Sequence, residues 1–314
     1  MKDKIDIIYF GHGLTGLYGI QRLKKGKLKD KVNIKAVVIS DKNKDQGDLV
    51  KHEATSYGIK TYDYPLHSEQ LQDYLTKKTN VDLGIIMNFD QKIPQNIINL
   101  PTNGMWNVHQ SDLPKYRGGL PLESIIVNGD NFRVSVHELT KNFDDGDIIY
   151  QSQPIDVWGM DIDELYFFSS KQSALALEDS LKLYLKGDCQ PTKQDNSKAT
   201  YANAKDVNNL LKSDWQNDCG EDIFRKVLAG GINRGAISSL NIHGKEEQFR
   251  ITEANFIPAN INHSYPLSGT LSKNEDCYAV RVNDGTVYIS GIQSQNSQVI
   301  HTLNSADKNM VVLS

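Results

Sequence analysis

Four short apolar runs divide the first third of the chain: IDIIYF (5–10), VNIKAVVIS (32–40), VDLGIIMNF (81–89) and GMWNVH (104–109). Each is rich in β-branched or aromatic residues and bounded by Gly or polar clusters, the mark of a buried strand. Between the first two, LTGLYGIQRLKK sets Leu14, Leu17, Ile20 and Leu23 on one face at helical spacing. DKNKDQGD (41–48) reads as a polar loop, and HEATSYGI leads into a second helix over SEQLQDYLTKK. IPQNIINL is a short helix opened by Pro94. Strands alternating with helices predict an α/β fold with a Rossmann-like, mostly parallel sheet.

PLESIIVNGD predicts a helix closed at Asn128-Gly129. FRVSVHEL and DIIYQSQPI then alternate apolar and polar residues, as two strands joined by KNFDDG do. A helix is expected from about Asp163, its cap, to Lys186, with Gly187 closing it. The texture then changes. After the polar stretch CQPTKQDNSKAT come a helix, GEDIFRKVLAG, and short runs AISSLNIHG, EQFRITEANF, YPLSGTLS and CYAVRVNDGTVYISGIQ. Asn283-Asp284-Gly285 is a hairpin signal. Short strands at regular spacing predict a small β-barrel-like, OB-like domain. The expected division is a catalytic domain over 1–190, a linker over 191–202 and the barrel domain over 203–314.

A length of 314 residues suits two domains. Hydrophobic residues at 39% and charged residues at 24% make an ordinary globular balance. The net charge of -4 gives no general pull toward nucleic acid or membrane. No run approaches the ~18 apolar residues of a membrane span, and no apolar signal region opens the chain, so a cytoplasmic protein is expected. Cys189, Cys219 and Cys277 are too far apart for a zinc pattern and too few for a disulfide framework.

Two places carry candidate chemistry. GHGLTG (11–16) follows the first strand as Gly-x-Gly-x-x-Gly, and Asp41 closes the second, the outline of a dinucleotide site. Glycines there let a ligand approach the backbone at a helix N-terminus, and they equally serve a tight strand-to-helix turn. The second place is NGMWNVHQSDLPKYRGGLP (103–121). Asn107 and His109 stand two apart on a strand, hence on one face, at the end where open α/β sheets bind ligands. Downstream, FDDGDII carries Asp144 and Asp145 on a loop tightened by Gly146. An imidazole can accept a proton from an amine, an amide can donate to an oxyanion, and a carboxylate can orient the imidazole. The same residues also fit satisfied polar groups at a sheet end and a plain hairpin turn. A metal set of His109, His137 and Asp144 lacks the clustered spacing of zinc sites, and no metal is expected.

Asn107-x-His109-x-Ser111-x-Leu113-Pro114, then Arg117-Gly118, then Asp144-x-Gly146, resembles the 10-formyltetrahydrofolate-dependent formyltransferases. VDLGIIMNFDQKIP, ATYANAKDVNNLLKSDW and RKVLAGGINRGAI extend the likeness over nearly the whole chain. The resemblance implies transfer of a formyl group from 10-formyltetrahydrofolate to a primary amine, with Asn107, His109 and Asp144 as the catalytic set. It implies a donor site between the stretches at 87–93 and 141–147, for which Ile86, Phe89, Asp90, Gln91, Ile93, Asp145 and Gly146 are the candidates. It moves Gly11, His12, Gly13 and with them Thr15 from a cofactor to the acceptor side, beside Ser111, Lys115, Tyr116, Arg117 and Gly118.

The acceptor is less legible. Gly11-His12-Gly13 stands where the resembled methionyl-tRNA formyltransferases have Gly-Thr-Pro, and Arg117-Gly118-Gly119-Leu120-Pro121 where they have Arg-Gly-Ala-Ala-Pro. Ser111-Asp112-Leu113-Pro114 resembles the sugar-nucleotide enzymes. Residues 200–314 hold 10 Lys+Arg against 12 Asp+Glu, without the basic excess of a tRNA-binding domain. The expected acceptor is therefore a nucleotide-linked amino sugar. Methionyl-tRNA, hydrolysis of the formyl donor by water, and an inactive binding module are the alternatives, and a homodimer is compatible with any of them.

Overall fold

The structure, a computed structural model, describes residues 4–64, 81–259, 269–273, 277–306 and 311–313. The chain divides into two compact units. One comprises Met1–Gly118, Phe132–Ile155 and Tyr166–Tyr201, the other Gly119–Asn131, Asp156–Leu165 and Ala202–Ser314.

The first unit is built on a seven-stranded sheet. Its strands are β1 (Ile5–Gly11), β2 (Val32–Ser40), β3 (Thr61–Tyr64), β4 (Leu83–Met87), β5 (Met105–His109), β6 (Ser135–Glu138) and β7 (Ile148–Gln151), in the order β3-β2-β1-β4-β5-β6-β7. The first five run parallel; β6 and β7 are antiparallel additions. Strands covered on both faces have no polar side to show, which is why 7–10 and 83–87 are apolar without alternation. Ile8, Phe10, Val38, Ile86 and Met105 pack in one core cluster, while Ile7, Tyr9, Ile85 and Met87 are buried on the other face.

Helix α1 (Gly13–Lys25) buries Thr15, Gly16, Gly19, Ile20 and Leu23, whereas Leu14 and Leu17 are only half-buried. The small residues turn inward because helix and strand come very close: a Cβ on Gly16 would lie 3.0 Å from the Gly11 carbonyl carbon. The polar loop expected over 41–48 is mostly helix. Asn43 caps α2 (Lys44–Ser56), its side chain accepting from the Gln46 N–H at 3.3 Å. That helix buries only Gly47, Val50 and Ala54, so its apolar stripe is too thin to register as periodic. The helix expected over SEQLQDYLTKK lies outside the described residues, as does the 265–268 part of the YPLSGTLS run. The long helix Ile162–Lys186 is capped by Asp161, not Asp163: Glu164 N donates to Asp161 Oδ1 at 2.8 Å and Asp161 N to Glu164 Oε2 at 3.2 Å.

The second unit carries a six-stranded antiparallel sheet: β8 (Ala236–Ile242), β9 (Lys245–Pro258), β10 (Thr270–Lys273), β11 (Tyr278–Val282), β12 (Gly285–Gln293) and β13 (Val311–Val312). The order is β13-β10-β11-β12-β9-β8, and a bridge between Leu240 and Leu313 brings its two ends together into a near-barrel. Asn283 and Asp284 turn the β11–β12 hairpin. The core is aliphatic around Trp215, whose indole N–H donates to Ser238 Oγ at 2.7 Å. A helix over Ser297–Asn304 and strand β3 are elements the hydrophobic pattern does not announce. Among the described residues, no helix is long and apolar enough to cross a membrane.

Candidate active site

Strand order reverses between β1 and β4, so the crevice at the C-terminal ends of these parallel strands is the place where open α/β sheets bind ligands. β5 lies beside β4 in parallel and delivers Asn107 and His109 to that end on one face. Antiparallel pairing then sets His137 of β6 opposite Asn107. The loop after β6 returns Asp144 to the same point.

The four side chains form one polar cluster. Asn107 Nδ2 donates to Asp144 Oδ1 at 3.1 Å and lies 3.2 Å from His137 Nε2. His137 Nε2 stands 3.4 Å from Asp144 Oδ1, and His137 Nδ1 bonds the Glu138 carbonyl at 2.8 Å. His109 Nδ1 faces Asp144 Oδ2 at 3.7 Å, and His109 Nε2 donates to the Tyr116 carbonyl at 2.8 Å. The Gly118 N–H completes the carboxylate, donating to Asp144 Oδ2 at 2.8 Å. With Nε2 committed as a donor, Nδ1 is the basic nitrogen of neutral His109, and it points at a carboxylate.

Burial pushes the His109 imidazole below its ordinary range, and the neighbouring His137 adds to this. The Asp144 charge and the Tyr116 carbonyl offset it only in part. His109 is therefore neutral near pH 7 and able to accept a proton. Burial pushes the Asp144 carboxyl upward, but both histidines and the Gly118 N–H outweigh it and hold the group far below the usual carboxylate range. Asp144 therefore stays ionised while His109 changes its charge. An imidazole protonated at Nδ1 meets a carboxylate that is always charged, so proton uptake there is stabilised by an ion pair.

His109, His137 and Asp144 do come together, yet the Asn107 amide reaches both His137 Nε2 and Asp144 Oδ1, putting an N–H donor where a cation would need lone pairs. Among the described residues no group of three or more His, Cys, Asp or Glu is arranged to hold a metal ion.

The expected donor-site residues fall into two groups. Ile86 and Ile93 are buried in the sheet core, and Phe89 packs edge-on against Phe10 and Tyr64 at 5.4 and 5.3 Å between ring centroids. Gln91 spends its amide on Ser40 Oγ, Asp41 Oδ1 and the Tyr64 carbonyl. Asp90 is exposed, and its carbonyl accepts from Lys42 Nζ at 3.2 Å. Phe89 and Gln91 thus brace a loop on which Asn88, Asp90 and Lys92 stay exposed. Asp145 is held by Thr140 Oγ1 and by Asn142 Nδ2, the latter at 2.7 Å. At Gly146 a Cβ would fall 2.0 Å from the Glu138 carbonyl oxygen, so only glycine fits.

The acceptor-side residues also divide. Gly11 ends β1, His12 is buried with its N–H on the Met87 carbonyl at 3.2 Å, and Gly13 opens α1 at φ 59°. Thr15 bonds Ser170 Oγ at 2.8 Å inside the unit. Ser111 donates to the Lys115 carbonyl at 2.7 Å; this turn and the Tyr116 carbonyl position His109. Arg117 is buried, its guanidinium bonded to Gln194 and Asn196. Sequence reasoning missed His137 as a partner of Asn107, and missed Gln194 altogether. Strand pairing brings in the first, and the second sits in a polar stretch with no periodic signal.

Residues 3–166 match the family described as formyl transferase, just over half of the chain. The chain belongs to the formyl transferase family. Its activity is formyl transfer, as the resemblance read from its sequence implied. Among curated relatives, the methionyl-tRNA formyltransferase of Sulfurihydrogenibium sp. is 29% identical over 262 residues, covering 81% of this chain and 80% of its own length. Among solved structures, a sugar 3N-formyl transferase crystallised with dTDP and 5-N-formyl-THF aligns with a TM-score of 0.68 at 21% identity, over 94% of this chain and 100% of that one. The N-formyltransferase from Helicobacter canadensis, in complex with folinic acid and dTDP-3-aminofucose, aligns with a TM-score of 0.67 at 18% identity, over 92% and 100%.

Proposed function

We propose that this formyltransferase moves the formyl group of 10-formyltetrahydrofolate to the amino group of a nucleotide-linked amino sugar. The observation that carries the chemistry is the approach of His109 Nδ1 to Asp144 within 3.7 Å, with Nε2 tied to Tyr116. The incoming amine loses a proton as it attacks the formyl carbon, and His109 takes that proton at Nδ1. Asp144 orients the ring and stabilises the imidazolium. Asn107 turns one of its N–H groups from Asp144 or His137 to the oxygen on which charge develops. The proton then passes from His109 toward the departing nitrogen, so His109 ends neutral. 10-Formyltetrahydrofolate supplies the formyl carbon; the braced loop at 88–92 and the Asp144 loop, both reaching the surface, suit contacts to its flat polar ring.

A sugar-nucleotide acceptor is supported by Ser-Asp-Leu-Pro at 111–114, by Arg-Gly-Gly-Leu-Pro at 117–121 and by the absence of a basic excess over 200–314. The sugar N-formyltransferases named above match over their whole length, which agrees with this reading. Methionyl-tRNA is the second reading, favoured by the name of the curated relative. Formyl transfer is measured with TDP-, UDP- and GDP-linked amino sugars beside charged initiator tRNA. Turnover of one amino sugar at low salt sensitivity is expected. Turnover of the tRNA alone, falling steeply with salt as phosphate contacts require, overturns the acceptor assignment.

A further inference from the structure

Residues 189–200 form a polar stretch and read as a connector. In the first unit they are laced to both loops of the site. Thr192 exchanges backbone hydrogen bonds with Ile148 at 2.8 and 2.9 Å, just past Gly146. Thr200 accepts the Arg117 N–H through its carbonyl at 2.9 Å and the Tyr116 N–H through Oγ1 at 2.9 Å. Gln194 stands between these anchors. Its Nε2 donates to the carbonyls of Asp144 and Gly146, each at 2.7 Å. Its Oε1 accepts from Arg117 Nε at 3.1 Å and Nη2 at 2.7 Å. The amide can lie only this way round, since a guanidinium donates and a carbonyl accepts.

One side chain thus ties together two loops that meet again at the carboxylate, where the Gly118 N–H reaches Asp144 Oδ2. The backbone it grips is unusual. Asp144 sits at φ 49°, in the left-handed region that L-residues occupy sparsely and that persists only where the surroundings hold it. Arg117, 3% exposed, anchors the other end of the clasp and also donates to Asn196 Oδ1 at 2.8 Å.

We propose that Gln194 is a positioning residue for formyl transfer: it holds the Asp144 backbone and the Arg117–Gly118 loop in one register and so sets the carboxylate against His109. This rests on His109 and Asp144 as the proton-transfer pair and is independent of which amine is the acceptor. Gln194 touches neither imidazole, so its contribution is geometric. A misplacement of about 1 Å in such a pair costs on the order of 100-fold in rate.

The test compares Gln194→Ala, Gln194→Glu and, as a neighbouring control, Asp195→Ala. Gln194→Glu keeps an acceptor for Arg117 but turns an oxygen toward two carbonyl oxygens. Both Gln194 variants are expected to lose about 10- to 100-fold in kcat with KM little changed, while Asp195→Ala retains wild-type kcat. The His109 imidazole, titrated by NMR without any substrate, is expected to move to lower pH in both, because the carboxylate that favours its charged form is no longer held close. That measurement separates the clasp from the acceptor assignment, and either variant suffices if the other does not fold. A fall in melting temperature with kcat and the His109 titration both unchanged would make Gln194 merely structural and overturn the proposal.

Discussion

The two sheets gather opposite kinds of residue. At the end of β5 the mixed sheet collects His109, His137, Asn107, Asp144 and Arg117, each paired with another polar group. The antiparallel near-barrel buries Val280, Val287, Ile289, Val299 and Leu303 around Trp215, which bonds Ser238 through its indole N–H. Burying polar groups is costly unless every one is bonded, so a dense cluster of them is kept where chemistry needs it. The aliphatic cluster is what a small sheet needs to close on itself. Substitutions in the first cluster should change rate with modest change in stability, and substitutions in the second should do the reverse.

The largest effect expected from this contrast belongs to the amide. Asn107→Ala removes the donor to Asp144 that, in the proposed mechanism, also serves the oxyanion, and kcat is expected to fall about 100- to 1,000-fold in a formyl-transfer assay. On the other side, Ile289→Ala opens a cavity at a fully buried site and is expected to cost about 2 to 5 kcal/mol in denaturant unfolding, with the pH dependence of catalysis unmoved. Trp215→Phe strands the Ser238 hydroxyl and should cost about 1 to 3 kcal/mol by the same measurement. Smallest is Asn296→Ala, which loses the cap of the Ser297–Asn304 helix, where the side chain accepts from Gln298 N at 3.0 Å; about 1 kcal/mol is expected. A large rate loss from Ile289→Ala, or a stability loss without a rate loss from Asn107→Ala, would erase the distinction between the two clusters.

The pH dependence follows from the same polar cluster. The proposed mechanism needs neutral His109, and burial sets its titration below the ordinary imidazole range. The acid limb of kcat/KM should therefore fall only below that range, as pH drops and Nδ1 becomes occupied. Asp144 contributes no limb near neutrality, because it remains ionised far below the usual carboxylate range.

What is legible in the sequence follows physical reach. Strands buried on both faces announce themselves as apolar runs, and Asn107 and His109 share a face because strand geometry has period two. The helix Lys44–Ser56 does not, since a surface helix burying three small or β-branched residues carries little apolar signal. In GHGLTG the glycines read as a ligand loop; in the structure the Gly11–Gly16 approach shows what they do for packing. His137 and Gln194 lie beyond local pattern. One reaches the site by pairing with a strand 30 residues away, and the other by a side-chain clasp 50 residues from Asp144.

The most direct measurement is single-turnover formyl transfer from 10-formyltetrahydrofolate by folded His109→Ala, compared with the wild type on the acceptor the wild type uses. A loss of at least about 100-fold is expected, since the group proposed to take up the amine proton is gone while the sheet around it remains. Transfer by His109→Ala at the wild-type rate would contradict the assignment of His109 as the base.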